Sequence, residues 1–164
     1  MPSRLPRLLP AFLALVLLLA PVAAAQESGI VEKIYDHALE LLRGGKTEEA
    51  LKEFEQIYTS YGQTPQAPDA LFQVASHHYP VRDLNDLGMG GRDPIQKAVT
   101  LFEKIRKQYE TSSRAPEALY RLGLLALEPD NPRYSPDEAF AAFTSVVNVY
   151  PGSPLAADAL FGAA

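Results

Sequence analysis

Apolar residues recur every three or four positions along several segments of the chain, which is the spacing of one face of an α-helix. The first of these segments has its apolar residues at Ile30, Ile34, Ala38, Leu41 and Leu42. Gly44 and Gly45 follow it, and glycine readily adopts the left-handed conformation found at helix ends. The pattern therefore predicts an amphipathic helix from about Gly29 to Arg43.

The same spacing predicts six further helices. Each is expected to begin at a side chain that can accept a hydrogen bond from the free N–H groups of the first turn, in several cases followed by proline. The expected first residues lie at or near Thr47, Thr64, Asp93, Ser113, Ser135 and Ser153. The glycine-rich segment 81–93 is the least regular part of the chain. Short connections between such helices make antiparallel hairpins.

The predicted helices form three pairs, at about 29–61, 64–110 and 113–150, with an incomplete fourth pair from 153. The first helices align at Ile34, Leu71, Leu119 and Leu160, each followed four positions later by a small residue, namely Ala38, Ala75, Gly123 and Ala164. The second helices share an Ala-x-x-x-Phe spacing, at Ala50 and Phe54, Ala98 and Phe102, and Ala139 and Phe143. We expect the small residues to allow close helix approach and the phenylalanines to fill the space between hairpins.

A recurring junction joins one pair to the next. Its cleanest copy runs from Tyr150 to Phe161, and weaker copies begin at Tyr61 and Tyr109. In every copy the residue after the first tyrosine lies eight positions before the alanine of an Ala-Leu pair. Fixed internal spacing of this kind is typical of helical repeat proteins.

These features resemble the tetratricopeptide repeat. The small-residue position, the Ala-x-x-x-Phe spacing and the Tyr-Pro at the hairpin end match its consensus, over about residues 30–164. The resemblance implies an all-α, right-handed solenoid of antiparallel helical hairpins that binds other proteins. Ala38 and Ala50 keep the family's spacing, while the second and third hairpins carry insertions of about eleven and four residues, which we expect in loops.

The Tyr150 junction also resembles the periplasmic branch of that family, which includes the Tol-Pal coordinator protein and the outer-membrane-assembly lipoproteins. The chain contains no cysteine, so it departs from the lipid-anchored members and matches the soluble coordinator type better. This likeness implies a role in organising the cell envelope.

An aromatic residue follows each aligned apolar position of the first helices. These residues are Tyr35, Phe72, Tyr120 and Phe161. The resemblance implies that this position faces the concave groove that receives peptides, so we expect an aromatic ladder there; the alternative is that the rings pack between neighbouring first helices. Polar groove candidates nearby are Glu32, Asp36, Gln73, Ser76, Glu117 and Arg121, a mixed set that predicts no clear ligand charge.

The first 25 residues have the order of a secretory signal peptide. Arg4 and Arg7 precede the apolar residues 8–20, and small residues end at Ala25, after which we expect cleavage. The apolar run is interrupted by Pro10 and is short for a bilayer core that needs about 20 residues. We therefore predict a periplasmic or secreted protein without stable membrane insertion, with an uncleaved membrane anchor as the alternative.

Composition narrows the class of partner. The net charge is −5, and it becomes −7 once Arg4 and Arg7 leave with the signal peptide. An acidic chain lacks the clustered cations that phosphate contacts need, so we expect neither nucleic acid nor an anionic membrane surface as partner. The absence of cysteine excludes disulfides, thiolate nucleophiles and cysteine-based zinc sites.

No residue pattern predicts catalysis, a metal site or a cofactor. His77 and His78 are adjacent, so their side chains point about 100° apart on a helix, which is unfavourable for binding one metal even with Asp83 and Asp86 nearby. The Asp83 segment lacks the ligands of a calcium loop at its later positions, and no Gly-x-Ser-x-Gly motif is present.

We therefore predict a non-enzymatic scaffold that binds a protein or peptide of the cell envelope in its concave groove. The alternative is the helical N-terminal part of a longer periplasmic enzyme, such as a lytic transglycosylase, which resembles this plan. That alternative is suggested by the last predicted helix, which reaches Ala164 as an apolar half-hairpin, where solenoids normally have a polar capping helix. A catalytic domain encoded downstream would favour the enzyme.

Overall fold

The structure, a computed structural model, describes residues 27–79 and 92–163. These residues form helices and turns without any strand, which confirms the predicted all-α fold. The helices are α1 (27–43), α2 (Thr47–Ser60), α3 (Ala67–His77), α4 (Arg92–Gln108), α5 (Ala115–Ala126), α6 (Pro136–Val149) and α7 (Ala156–Gly162). The predicted signal peptide and most of the glycine-rich segment, including Asp83 and Asp86, lie outside the described residues.

The helices pack in chain order. From α2 to α7, consecutive helices contact each other. This arrangement of local contacts is that of a solenoid, in which each hairpin is stabilised mainly by its neighbours. The face formed by α1, α3 and α5 is consequently separate from the face formed by α2, α4 and α6.

The aligned phenylalanines form the centre of each hairpin. Phe54, Phe102 and Phe143 are fully buried, as are the small residues Ala38 and Ala75 of the preceding helices. In the third hairpin the small residue is Gly123, and a Cβ atom added there would lie only 2.6 Å from the nearest carbon of the Phe143 ring. The predicted close helix approach at a small residue is confirmed in the third hairpin, where the Phe143 ring of α6 lies directly beside Gly123 of α5.

The junctions differ from the prediction. At the Tyr61 junction the helix begins at Ala67 rather than at Thr64, because two successive turns precede it: the Thr64 N–H donates to the Tyr61 carbonyl (3.0 Å) and the Ala67 N–H to the Thr64 carbonyl (3.1 Å). The same pair of turns precedes α5 and α7, which begin at Ala115 and Ala156 instead of near Ser113 and Ser153. These backbone bonds satisfy the N–H groups of Thr64 and Ala67 and of their equivalents, and just before α7 the Ser153 hydroxyl oxygen also accepts the Leu155 N–H at 3.2 Å.

The other predicted helix starts give mixed results. Ser135 caps α6 as expected, its hydroxyl oxygen accepting the Glu138 N–H at 3.2 Å. Thr47 does not cap α2, because it is the first residue of the helix and Lys46 precedes it without a side-chain cap. Helix α4 begins at Arg92, so Asp93 lies inside the first turn instead of before it.

Hydrogen bonds donated by the junction tyrosines connect successive hairpins. The Tyr109 hydroxyl donates to the Gly62 carbonyl at 2.9 Å, and the Tyr150 hydroxyl donates to the Glu110 carbonyl at 2.7 Å. Gly62 and Glu110 each follow a junction tyrosine, so one junction supplies the acceptor for the tyrosine of the next. A hydrogen bond of this kind contributes about 1 kcal/mol to stability.

Candidate protein-binding groove

Three rings of the predicted ladder occupy equivalent positions. Tyr35 packs edge-on against Phe54, with ring centroids 5.4 Å apart, and Phe72 packs in the same way against Phe102 at 5.5 Å. Tyr120 lies 5.4 Å from Phe143 with a tilted ring. Each ring therefore contacts the buried phenylalanine of its own hairpin, a contact absent from both sequence-based interpretations.

The four predicted ladder residues differ in exposure. Tyr35 and Tyr120 are half-buried and so present part of their rings to solvent. Phe72 is only 6 % exposed, and the guanidinium carbon of Arg114 lies 4.9 Å from its ring centroid. Phe161, in contrast, is 87 % exposed. A partner on this face would meet the Arg114 guanidinium where the prediction placed the Phe72 ring.

A polar network crosses the face formed by α1, α3 and α5. The Gln73 side chain of α3 lies close enough to the Tyr35 hydroxyl of α1 to act on the pKa of that phenol, which it lowers. Arg114, at the start of α5, pairs with Asp69 of α3 at 2.5 Å and with Glu117 at 3.1 Å. We call this surface the groove face, comprising Tyr35, Asp69, Phe72, Gln73, Tyr79, Arg114, Glu117, Tyr120 and Arg121.

Arg121 extends the network along α5. Its guanidinium carbon lies 4.8 Å from the Tyr79 ring centroid, and its Nη2 atom lies 3.8 Å from a Glu117 carboxylate oxygen. Gln73 and Arg121 thus each lie beside a side chain from another segment, Tyr35 of α1 for Gln73 and Tyr79, just after α3, for Arg121. Such cross-helix contacts fix the shape of the face before any partner arrives.

The groove face is electrically balanced. Its two arginines are matched by the carboxylates of Asp69 and Glu117. Burial acts to lower the pKa of Arg114, but hydrogen bonds to these two carboxylates outweigh it and raise the pKa overall. Burial raises the pKa of Tyr35 and of Tyr79, so both phenols remain protonated near neutral pH.

Sequence reasoning missed three members of this surface, Asp69, Tyr79 and Arg114. A signal for Asp69 was present, because an acidic residue lies two positions before each aligned apolar residue, at Glu32, Asp69, Glu117 and Asp158. No motif identifies Arg114, which precedes α5 and contacts Asp69 across 45 positions of sequence. Of the other predicted candidates, Glu32 and Asp36 are exposed and Ser76 is half-buried.

The histidines offer little for metal binding. His77 and His78 contact each other edge-on, with ring centroids 5.3 Å apart, and His37 pairs with Glu53 at 2.8 Å. Across residues 27–79 and 92–163 there is no group of three or more side chains arranged to hold a metal ion. In the same ranges no helix combines the length and the apolar character needed to cross a membrane.

Comparison with known families identifies the repeats. One model described as a tetratricopeptide repeat matches residues 35–79, and a second with the same description matches residues 117–153. Together they cover half of the sequence. The chain is a tetratricopeptide repeat protein. The segment between the two matches contains α4 and the glycine-rich insertion, where the spacing departs most from the consensus.

Tetratricopeptide repeats typically act as protein-binding modules without catalytic activity, so protein partners are indicated for this chain. A search of curated proteins gave no significant match. The two matched segments include Tyr35, Phe72 and Gln73 in the first and Tyr120 and Arg121 in the second, and thus most of the groove face.

Proposed function

We propose that this protein is a non-catalytic scaffold that binds an extended or helical segment of a partner protein along its groove face. The observation that supports this most is the rigid presentation of Tyr35 and Tyr120. Each ring is braced from behind by a fully buried phenylalanine and leaves part of its surface to solvent. Aromatic rings held in this way provide contact area at low entropic cost.

The groove residues divide into contacting and supporting roles. Tyr35, Tyr120 and the exposed Phe161 supply apolar contacts, and Gln73 and Arg121 supply hydrogen-bond donors. Phe72 supports the surface from below, because Arg114 lies over its ring. Since the arginines and carboxylates balance, the partner segment requires no strong net charge.

A photo-crosslinking experiment tests this proposal. Benzoylphenylalanine replaces Phe161 or Gln73 in the protein within living cells, and Asn148, an exposed residue of α6, serves as the control position. We expect Gln73 on the groove face and Phe161, the fourth residue of the predicted ladder, to crosslink the same protein, and the α6 position not to. The site on the partner, read by mass spectrometry, defines a peptide whose affinity can then be measured.

The affinity of that peptide should depend on the groove tyrosines. Tyr120→Ala is expected to weaken binding about tenfold, or about 1.4 kcal/mol, while Tyr134→Ala, at a tyrosine 54 % exposed outside the groove, leaves it unchanged. Circular dichroism confirms that both variants are folded. Crosslinks confined to Asn148, or equal losses in the two variants, would show that the groove face is not the binding surface.

We further propose that the chain is exported and acts in the cell envelope. The support is the basic, apolar and small-residue order of residues 1–25 and the likeness of the Tyr150 junction to the periplasmic branch of the family. Intact-mass measurement of the chain from a Gram-negative host should then give an N-terminus at Gln26, in the periplasmic fraction. A chain retaining Met1 in the membrane fraction would indicate an uncleaved anchor, and one retaining Met1 in the cytoplasm would refute export.

A further inference from the structure

A cleft lies on the face of the solenoid formed by the second helices of the hairpins, whereas the groove face is formed by the first helices α1, α3 and α5. Its walls are the second helices α4 and α6, and its floor is the back of α5, where Leu119, Leu122 and Ala126 line it. The cleft has a volume of about 720 Å³. We call it the back cleft; none of the groove-face residues lines it.

The equivalent gap one hairpin earlier is bridged by side chains. Between α2 and α4, Lys97 lies 3.9 Å from the Glu55 carboxylate, and the Lys104 ammonium lies 4.8 Å from the Tyr58 ring centroid. Both lysines reach backwards from α4 to α2. Two side-chain contacts, one ionic and one between a cation and an aromatic ring, therefore span this gap.

The same register positions cannot bridge α4 and α6. Aligning Ala98 with Ala139 puts Glu138 at the position of Lys97, and its counterpart across the gap is Glu103, so the pair is acidic on both sides. The position of Lys104 is taken by Ser145, whose hydroxyl instead donates to the Ala141 carbonyl at 2.7 Å. Small and like-charged side chains therefore leave this gap open.

The rim of the back cleft is positively charged. Arg106, Lys107 and Arg133 line it together with the carboxylates of Glu103 and Glu138, while Lys104 contributes its stem and directs its ammonium to the Tyr58 ring of α2. Glu103 accepts from Arg106 at 2.7 Å and lies 3.0 Å from the Lys107 ammonium. Burial acts to raise the pKa of Glu103, but these hydrogen bonds outweigh it and lower the pKa, so the carboxylate stays ionised.

This local charge is opposite to that of the molecule. With the Lys104 ammonium directed to α2, the rim carries three cations and two carboxylates, an excess of one positive charge, whereas the whole chain has a net charge of −5. One carboxylate shared by Arg106 and Lys107 leaves positive potential above an apolar floor. The positive rim therefore favours an anionic ligand, and the apolar floor of the cleft favours a ligand that also carries apolar side chains.

We propose that the back cleft is a second protein-binding site, which takes an acidic peptide segment carrying one or two large aliphatic or aromatic side chains. The apolar side chains enter the cleft against Leu119 and Leu122. The acidic side chains pair with Lys107 and Arg133 at the rim. Because this site shares no residue with the groove face, it does not depend on the function proposed above.

Selection from a random dodecapeptide library displayed on phage tests this site. The full mature chain is the target, and phage that also bind the Ala142→Leu variant, in which a leucine fills the cleft, are removed. Ala142 is half-buried on the cleft wall, so leucine enters the cavity without disturbing the core. We expect enrichment of peptides with an excess of Asp and Glu and at least one Leu, Ile or Phe.

Anisotropy titration of a selected, labelled peptide provides the quantitative test. Ala142→Leu and, separately, Arg133→Glu should each weaken binding about tenfold or more, and raising NaCl from about 0.05 to about 0.5 M should also weaken it. Asn148→Leu places the same leucine on α6 outside the cleft and should have no effect. Arg133 is exposed, so its variant keeps the fold even if Ala142→Leu does not.

Three results would overturn the proposal. They are failure to enrich any peptide, enrichment without acidic excess, and equal binding by Arg133→Glu and the unaltered chain. Dodecanoate serves as a probe of the lipid alternative: if it binds in the cleft and no acidic peptide does, the site is one for a lipid anion.

Discussion

Phe102→Ala should lower the free energy of unfolding by about 3–5 kcal/mol. Phe102 is fully buried, and its ring packs edge-on against Phe72 at 5.5 Å and Tyr79 at 6.5 Å. Removing the ring leaves a cavity between α3 and α4 that the flanking helices cannot close without losing their own contacts. Urea unfolding of residues 26–164, followed by circular dichroism, measures the change.

Phe140→Ala is the matched control for Phe102→Ala. Phe140 is 57 % exposed on α6, so the same chemical change there should alter the free energy of unfolding by less than about 0.5 kcal/mol. Because a solenoid is stabilised mainly by contacts between neighbours, hydrogen exchange in Phe102→Ala should accelerate first in α3 and α4. Equal destabilisation by the two variants would contradict the assignment of Phe102 to the core.

Gly123→Ala should also destabilise the protein, although alanine is the better helix former. The added Cβ would lie 2.6 to 2.9 Å from three carbons of the Phe143 ring, and Gly162 approaches that ring as well, with an equivalent Cβ at 3.1 Å. The ring therefore has little room to withdraw. Overpacking costs about 1–3 kcal/mol, against a gain in helix propensity of about 1 kcal/mol, so we expect a net loss of stability.

The double variant Gly123→Ala with Phe143→Leu isolates this contact. If the clash with the ring is the cause, the combined loss of stability should be smaller than the sum of the two single losses. Gly29→Ala is the control, because nothing lies within 4 Å of a Cβ atom there and α1 should be unchanged or slightly stabilised. Strict additivity, or a stabilising Gly123→Ala, would refute the tight packing.

The helices and the core positions could be predicted because both follow from local periodicity. Apolar residues spaced by three and four define the buried face of each helix, and aligning the hairpins identified Phe54, Phe102 and Phe143 as equivalent core residues. The helix starts at the junctions could not be predicted. The Thr64 hydroxyl donates to the Tyr61 carbonyl instead of capping the helix, and the Ser153 hydroxyl oxygen accepts the Leu155 N–H within the turns that precede α7.

The groove was predictable only in part. The repeat spacing predicted that Tyr35, Phe72 and Tyr120 occupy equivalent positions. In the structure each of these rings packs against the buried phenylalanine of its own hairpin. The three rings differ in exposure because a side chain from a neighbouring hairpin can cover one ring and leave another open. Arg114 covers Phe72 from 42 positions away in sequence, and no spacing rule within a single repeat includes it.

The sequence by itself determined that this chain forms helical hairpins and which residues each hairpin buries, because a period of 3.6 residues fixes the apolar face of every helix. Only the tertiary structure decided how the hairpins meet. The Asp69 to Arg114 pair, the Tyr109 hydrogen bond to Gly62 and the open back cleft all join residues of different hairpins. Such contacts depend on the rotation and offset between neighbouring hairpins, which arise from side-chain packing across their interface and leave no periodic mark in the sequence.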